Sequence, residues 1–448
     1  MGGNNSIVRE KLDSLRQDIV KLFRTGLFSI LSSNILAKVC ATLGSILVVR
    51  MLSKADYGFY TRVINDYLMI FMLNDFGCSV AMVQFRGEHF EDRKLRDAYF
   101  VEPFKMAVLF SLLVGLLILL SPLYFPYSDA LEAGTTRLLF LLPLVTVVNS
   151  FILNNLLSLS ENGKYAGLYF AQTFLQYLFL VIGSYCYGRT GAVLSGYAFN
   201  LALLVVGIIL SGNRLRFDWK AKVLSGDLKL SFLKFALSAQ FNNTINELLN
   251  IFDIFMLGQI IADDTVVAGY KVAATIPRSL RYVSTSITSY ALPYFARNIG
   301  NTDWVRKNAA KMIAGCTAFC GAITAGAIVL ARPVVVLVFG EAYSSSVPCF
   351  IILMISFFFT GSFHMPAANV IFSQHKVKVN IVITVIANIA NCLLDYVMIK
   401  RSGAIGAAIA TCLVSVIASV LAVAFMIVVL RSDANAHTVC ERNREDVD

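Results

Sequence analysis

Residues 403–430 read GAIGAAIATCLVSVIASVLAVAFMIVVL, 28 positions without a single charge, entered directly from Lys400-Arg401-Ser402. As a helix this run would be about 40 Å long, more than the ~30 Å of a bilayer's hydrocarbon core. Working outward, eleven further apolar runs of similar length lie at roughly 27–49, 60–83, 99–121, 137–159, 165–187, 191–212, 233–260, 265–295, 310–331, 347–371 and 379–399. They are long and do not alternate, which favours helices over a membrane barrel. The composition agrees. The 448 residues are 57% hydrophobic and only 15% charged, with a mean hydropathy of +0.70, whereas soluble domains are about 25% charged. A set of soluble domains and a disordered chain are both excluded. The expected fold is an all-α polytopic membrane protein of about 12 transmembrane helices. Runs 60–83, 233–260 and 265–295 each carry several charges.

The net charge of +10 follows the membrane's edges. Connections on the side of both termini hold 25 Lys and Arg, the opposite connections hold 8, and five lie inside spans. Basic residues accumulate at cytoplasmic edges, so both termini are expected in the cytoplasm, and no nucleic-acid partner is expected. Residues 1–26 place Val8, Leu12, Leu15, Ile19 and Leu22 on one helical face among basic residues, the pattern of an amphipathic segment lying on the inner leaflet. No cleaved signal peptide is expected there.

An internal repeat sets the domain plan. Arg189-Thr190-Gly191-Ala192-Val193 opens the sixth span and Arg401-Ser402-Gly403-Ala404-Ile405 the twelfth, 212 residues later. Pro122 and Pro333, Gly58 and Gly269, and Lys164 and Lys376 fall at the same offset within one residue, at equivalent helix ends. Duplication of a six-helix unit gives two lobes of the same orientation. The expected layout is an N-lobe at 27–212, a basic cytoplasmic linker at 213–232, a C-lobe at 233–430 and a cytoplasmic tail at 431–448. Two parallel lobes with a cleft are transporter architecture.

Ionisable groups inside a span are costly unless they face protein or water, and they mark candidate sites. Lys38, Lys271, Arg278 and Arg281 are such cations and suit an anionic substrate, arginine as a bidentate phosphate ligand and lysine as a point charge. Lys38 shares a face with Asn34, and Arg278 and Arg281 stand beside Pro277, which should bend or open its helix. The seventh span presents Asn243, Asn246, Glu247, Asn250 and Asp253 on one face. These residues are expected to line a cavity, to couple transport to an ion or proton, or to pair with the cations of the eighth span. Asp66 adds lesser polar content to the second span. Lys105 and Glu102 are expected to snorkel, His364 to be a hydrogen-bonded structural residue, Asp395 to be interfacial, and Asn388 and Asn391 to join helices.

No phosphate-binding GxxxxGK[ST] loop, HExxH or GxSxG motif occurs, and the four histidines form no cluster. Neither catalytic residues nor a metal site are expected, and no cofactor beyond coupling to an H+ or Na+ gradient. The nine cysteines read as small packing residues.

The stretch Leu52-Ser53-Lys54-Ala55-Asp56-Tyr57-Gly58-Phe59-Tyr60, followed by Asn74-Asp75-Phe76-Gly77, resembles the start of bacterial polysaccharide exporters. The closing run from Ala387-Asn388 through Arg401-Ser402-Gly403 to Thr411 does so too. The chain from about 26 to 430 is similar to Wzx-type lipid-linked oligosaccharide flippases of the MATE-like multidrug/oligosaccharidyl-lipid/polysaccharide exporter superfamily. The resemblance implies two six-helix bundles around a cavity that alternates between membrane faces. It implies as cargo an undecaprenyl-pyrophosphate-linked oligosaccharide for O-antigen, capsule or exopolysaccharide, with membrane lipids and polysaccharide polymerase or assembly proteins as partners. Alternatives are a MATE-type multidrug or organic-cation exporter, a lipid II flippase, and a membrane assembly subunit that transports nothing.

Overall fold

The computed structural model describes residues 27–125, 127, 130–215 and 224–445. Every regular element among them is helical. In chain order the helices begin with α1 Leu27–Met51, α2 Lys54–Phe71, α3 Cys78–Glu88, α4 Arg93–Leu119, α5 Ala130–Arg137, α6 Leu142–Ser158 and α7 Asn162–Ser211. They continue with α8 Gly226–Ile261, α9 Asp264–Arg297, α10 Thr302–Val329, α11 Ala331–Phe339, α12 Val347–Phe359, α13 Met365–Ser373 and α14 Val377–Glu445.

Eight stretches among the described residues are long and apolar enough to cross a bilayer. Two of these, α7 and α14, are 50 and 69 residues long and each doubles back at one break. The two polar helices α8 and α9, 36 and 34 residues long, are long enough to cross but are not counted on apolarity, which brings the spans to about twelve. These two correspond to the charge-bearing runs 233–260 and 265–295.

The two breaks have nearly the same backbone. Tyr187 and Gly188 (φ 57°, ψ −140°) interrupt α7 as Ser402 and Gly403 (φ 56°, ψ −131°) interrupt α14. Few residues other than glycine tolerate that combination. Ahead of each helix a residue is forced to positive φ, Ser160 at 57° and His375 at 60°. Both pairs lie 215 residues apart, so the counterpart of Gly403 is Gly188 and not Gly191. The letter match at 212 aligned the wrong glycine of two that stand three residues apart, because only φ distinguishes them.

The chain folds as two compact units, but not as two consecutive halves. Described residues 27–51, 70–125, 130–215 and 224–241 form the first, and 52–69, 127 and 242–445 form the second. The lobe boundaries expected at 27–212 and 233–430 therefore miss two segments, most of α2 and the first part of α8. Most of α2 belongs to the second unit because Gly58 lies directly on the Asp264 backbone, where a side chain would collide. Arg62 pairs with Asp264 at 3.0 Å, and Lys54 Nζ donates to Ser345 Oγ at 3.0 Å. The first part of α8 belongs to the first unit: Phe232 is buried beside Phe85 and Tyr99, and Gln240 donates to the Met72 carbonyl.

Between α2 and α3 the second span is broken. Asp75, Phe76 and Gly77 have φ of 53°, 47° and 76°, and the Asp75 carboxylate accepts from the Gly77 and Ser79 amides. Asp75 is thus buried and caps the start of α3. The helix α14 continues to Glu445, where a tail had been expected from 431. The helix α8 begins at Gly226, inside the expected linker. The amphipathic segment 1–26 and linker residues 216–223 lie outside the described residues.

Candidate functional site

The helix α9 begins at Asp263, whose carboxylate accepts from the Thr265 amide and hydroxyl, both at 2.8 Å. Those bonds favour the charged form and hold Asp263 below its ordinary pKa. From this cap the helix runs unbroken through Pro277 and Pro293 to Arg297. The expected opening at Pro277 does not occur.

Arg278 and Arg281 lie about 21 and 26 Å along this helix, at 1.5 Å per residue. Both border a cavity of about 490 Å³ within the second unit, within the usual range for small-molecule sites. Its wall takes Glu247 and Asp253 from α8, Tyr282 and Thr285 from α9, His364 from the π-helical turn Thr360–His364, and Asn391, Thr411 and Ser415 from α14. π-turns of this kind recur at functional positions because they re-aim one side chain. Here the turn carries His364, whose Nδ1 stands 3.4 Å from the Ala418 carbonyl oxygen.

The most buried residue of the wall is an acid, and a second buried acid lies near it. Asp253 is 1% exposed. Its Oδ2 accepts from the Tyr270 and Thr411 hydroxyls, each at 2.9 Å, and lies 3.8 Å from the Arg278 guanidinium. Its Oδ1 has no hydrogen-bond donor. Asp395 is 0% exposed and interacts electrostatically with Asp253, while neither of its oxygens meets a donor. Two carboxyls in such contact need a positive charge between them, a shared proton or a small cation. On the cationic side, Arg281 has a buried Nε without an acceptor.

The structure thus brings together four of the candidates, Arg278, Arg281, Glu247 and Asp253. Part of the polar face of α8 is spent in pairing, since Asp253 reaches Arg278. Lys271 is half-buried on α9 and is not among the residues lining this cavity. Asn243 is exposed on α8 and is likewise not in the wall. Lys38 and Asn34 belong to α1 in the first unit. Asp66 is buried on α2, where Gln259 donates to it at 3.3 Å. The side chains of Asn246 and Asn250 lie outside the described residues. Sequence reading missed Asp395, which sits so near a span's end that it looked interfacial, and Asn391, which lines the cavity rather than only joining helices. Asn388 does join helices, donating to the Ile245 carbonyl at 3.1 Å. Glu102 is paired with Lys105 at 3.3 Å and Lys229 at 3.8 Å.

The fold is similar to that of several solved transporters. Lipid II flippase MurJ in an inward closed conformation shares 13% identity and a TM-score of 0.69, over 88% of this chain and 86% of that one. A multidrug resistance MATE family transporter of the MOP superfamily, inward-facing, shares 12% identity and a TM-score of 0.68, over 89% and 96%. A MOP superfamily transporter from Pyrococcus furiosus, whose binding pocket is described as of reverse polarity, shares 14% identity and a TM-score of 0.55, over 93% and 96%. No curated protein sequence matches the chain. A family model described as polysaccharide biosynthesis protein matches residues 47–348, two-thirds of the length. This multi-pass membrane protein, with its MATE-like fold, belongs to the polysaccharide biosynthesis protein family.

Proposed function

We propose that the protein is a flippase or exporter for an undecaprenyl-pyrophosphate-linked oligosaccharide, working by alternating access with both termini in the cytoplasm. The observation that carries this reading is the pair Arg278 and Arg281 at mid-helix on the wall of a polar cavity. Arg281 keeps an unspent buried N–H, in a chain of the polysaccharide biosynthesis family. A buried guanidinium donor without an acceptor is costly, and a pyrophosphate oxygen would satisfy it by a charge-assisted bond. An organic cation would gain nothing there. Lys38 and Lys271 are assigned to the same anion at other stages of its passage.

Energy would come from an ion gradient. The contact between Asp253 and Asp395 supplies a place for a proton or Na+, and Asp253 links it directly to Arg278. Filling the acidic pair frees Arg278 for the substrate anion, and emptying it draws the guanidinium back. Asn243, Asn246, Glu247, Asn250, Asn34 and Asp66 are assigned to hydrated surfaces along the route, and polymerase or assembly proteins would take the product.

Arg278→Ala and Arg281→Ala should each abolish surface polysaccharide while membrane protein levels stay normal. Lipid-linked precursor should accumulate, measured by thin-layer chromatography of extracted lipids. Normal surface polysaccharide in both variants would overturn the anion site.

A further inference from the structure

From Arg278 onward, α9 carries a ridge of side chains four residues apart: Arg278, Tyr282, Ser286, Tyr290 and Tyr294. The neighbouring ridge is Arg281, Thr285, Ser289, Pro293 and Arg297. Residues at this spacing stand above one another on one helix face, and ridges offset by three are adjacent. Tyr282, Tyr290 and Tyr294 are 48%, 73% and 47% exposed, and Thr285, Ser286, Ser289 and Arg297 are exposed as well. The opposite face is the packed one, where Ser284, Thr288 and Phe295 are buried.

A ribbon of phenols, hydroxyls and guanidiniums cannot face hydrocarbon. Aromatic belts collect tyrosines at the membrane interface, which would account for Tyr294, but Tyr282 lies about 22 Å from the helix end at Arg297. The hydroxyls of Thr285 and Ser286 donate to the Arg281 and Tyr282 carbonyls, at 3.0 and 2.8 Å, with Met365 Sδ also 3.8 Å from Thr285 Oγ1, which leaves the lone pairs of both oxygens as acceptors. The Tyr290 and Tyr294 rings lie 5.4 Å apart with their hydroxyls 3.1 Å from each other. Flat aromatic faces rimmed with polar tips match a pyranose, which has apolar C–H faces rimmed with hydroxyls. Tyr282 and Thr285 also border the arginine cavity, so the ribbon continues from the proposed anion site without a gap.

We propose that this face of α9, from Tyr282 to Arg297, is a glycan track: it holds the sugar chain while Arg278 and Arg281 hold the pyrophosphate. The proposal rests on the flippase reading above. One helical turn advances about 5.4 Å, so the ridge offers a ring or a hydroxyl at each turn.

Bulky substitutions test it. Ser286→Trp and Ser289→Trp fill the path and should lower surface polysaccharide by about tenfold or more, a barrier increase of about 1.4 kcal/mol per tenfold. Val283→Trp and Ile287→Trp, on the adjoining apolar ridge, should leave it near wild type. Membrane levels of all four variants, with Ser286→Ala as a control, show that the protein still inserts. Equal tolerance on both ridges would overturn the track, and equal loss on both would reveal a packing face instead. Normal export in the Trp variants beside failure in Arg278→Ala sinks the track alone. Normal export in the arginine variants sinks the flippase reading.

Discussion

Asp395 shows how little a side chain's place along the chain says about its surroundings. It stands near the end of its span in sequence, yet it is fully buried with both oxygens bare of donors. An isolated buried carboxylate is costly, and its contact with Asp253 is tolerable only with a positive charge between the two. Asp395→Asn removes one of the two negative charges and supplies an amide that can donate to Asp253, so the pair no longer needs a bound proton or cation. The variant should stay folded and lose coupling: transport of a lipid-linked oligosaccharide in proteoliposomes should no longer respond to an imposed H+ or Na+ gradient. Undiminished gradient dependence would remove the pair from the energy-coupling role. Arg278 and Arg281 were legible in the sequence because charge at mid-span is rare and conspicuous. Asn391 was not, because an asparagine in a span reads equally as a link between helices or as a wall of a cavity.

Among the elements, α7 and α14 are helices folded back on themselves, and the fold-back is a single peptide geometry used twice. Gly403 at φ 56° and ψ −131° lies where a Cβ is strained, at a cost of about 1–3 kcal/mol. Gly403→Ala should therefore lower the melting temperature of the purified protein, whereas Gly315→Ala should not. Gly315 is helical with open space around it, and alanine there gains about 0.5–1 kcal/mol of helix propensity. The existence of the repeat could be seen in the letters, because duplicated helix ends keep their prolines, glycines and lysines. Its register could not, because dihedral angles decide which of two nearby glycines makes the turn.

For the whole molecule, the division into two units cuts across the helices. The first part of α2 serves the second unit, and Arg62, 7% exposed, holds it there through Asp264, 26% exposed. Removing Arg62 takes this ion pair from Asp264, so Arg62→Ala should destabilise by about 1–3 kcal/mol. The exchange Arg62→Asp with Asp264→Arg should recover part of the loss in a double-mutant cycle read by thermal unfolding. Independent effects of the two sites would show that the ion pair does not hold α2.

The sequence by itself determined that the chain lives in lipid, that it has about twelve helices from a doubled six-helix unit, and which helices are too polar to be plain anchors. Apolar length, the near-absence of charge and repeated helix ends are local properties, and local properties survive in one dimension. Tertiary structure decided which polar residues meet. Asp253 and Asp395 are 142 positions apart, and Arg62 and Asp264 are 202 apart; only packing brings such groups together. A membrane accepts a charge when a partner or water neutralises its cost, and that partner is chosen by the fold.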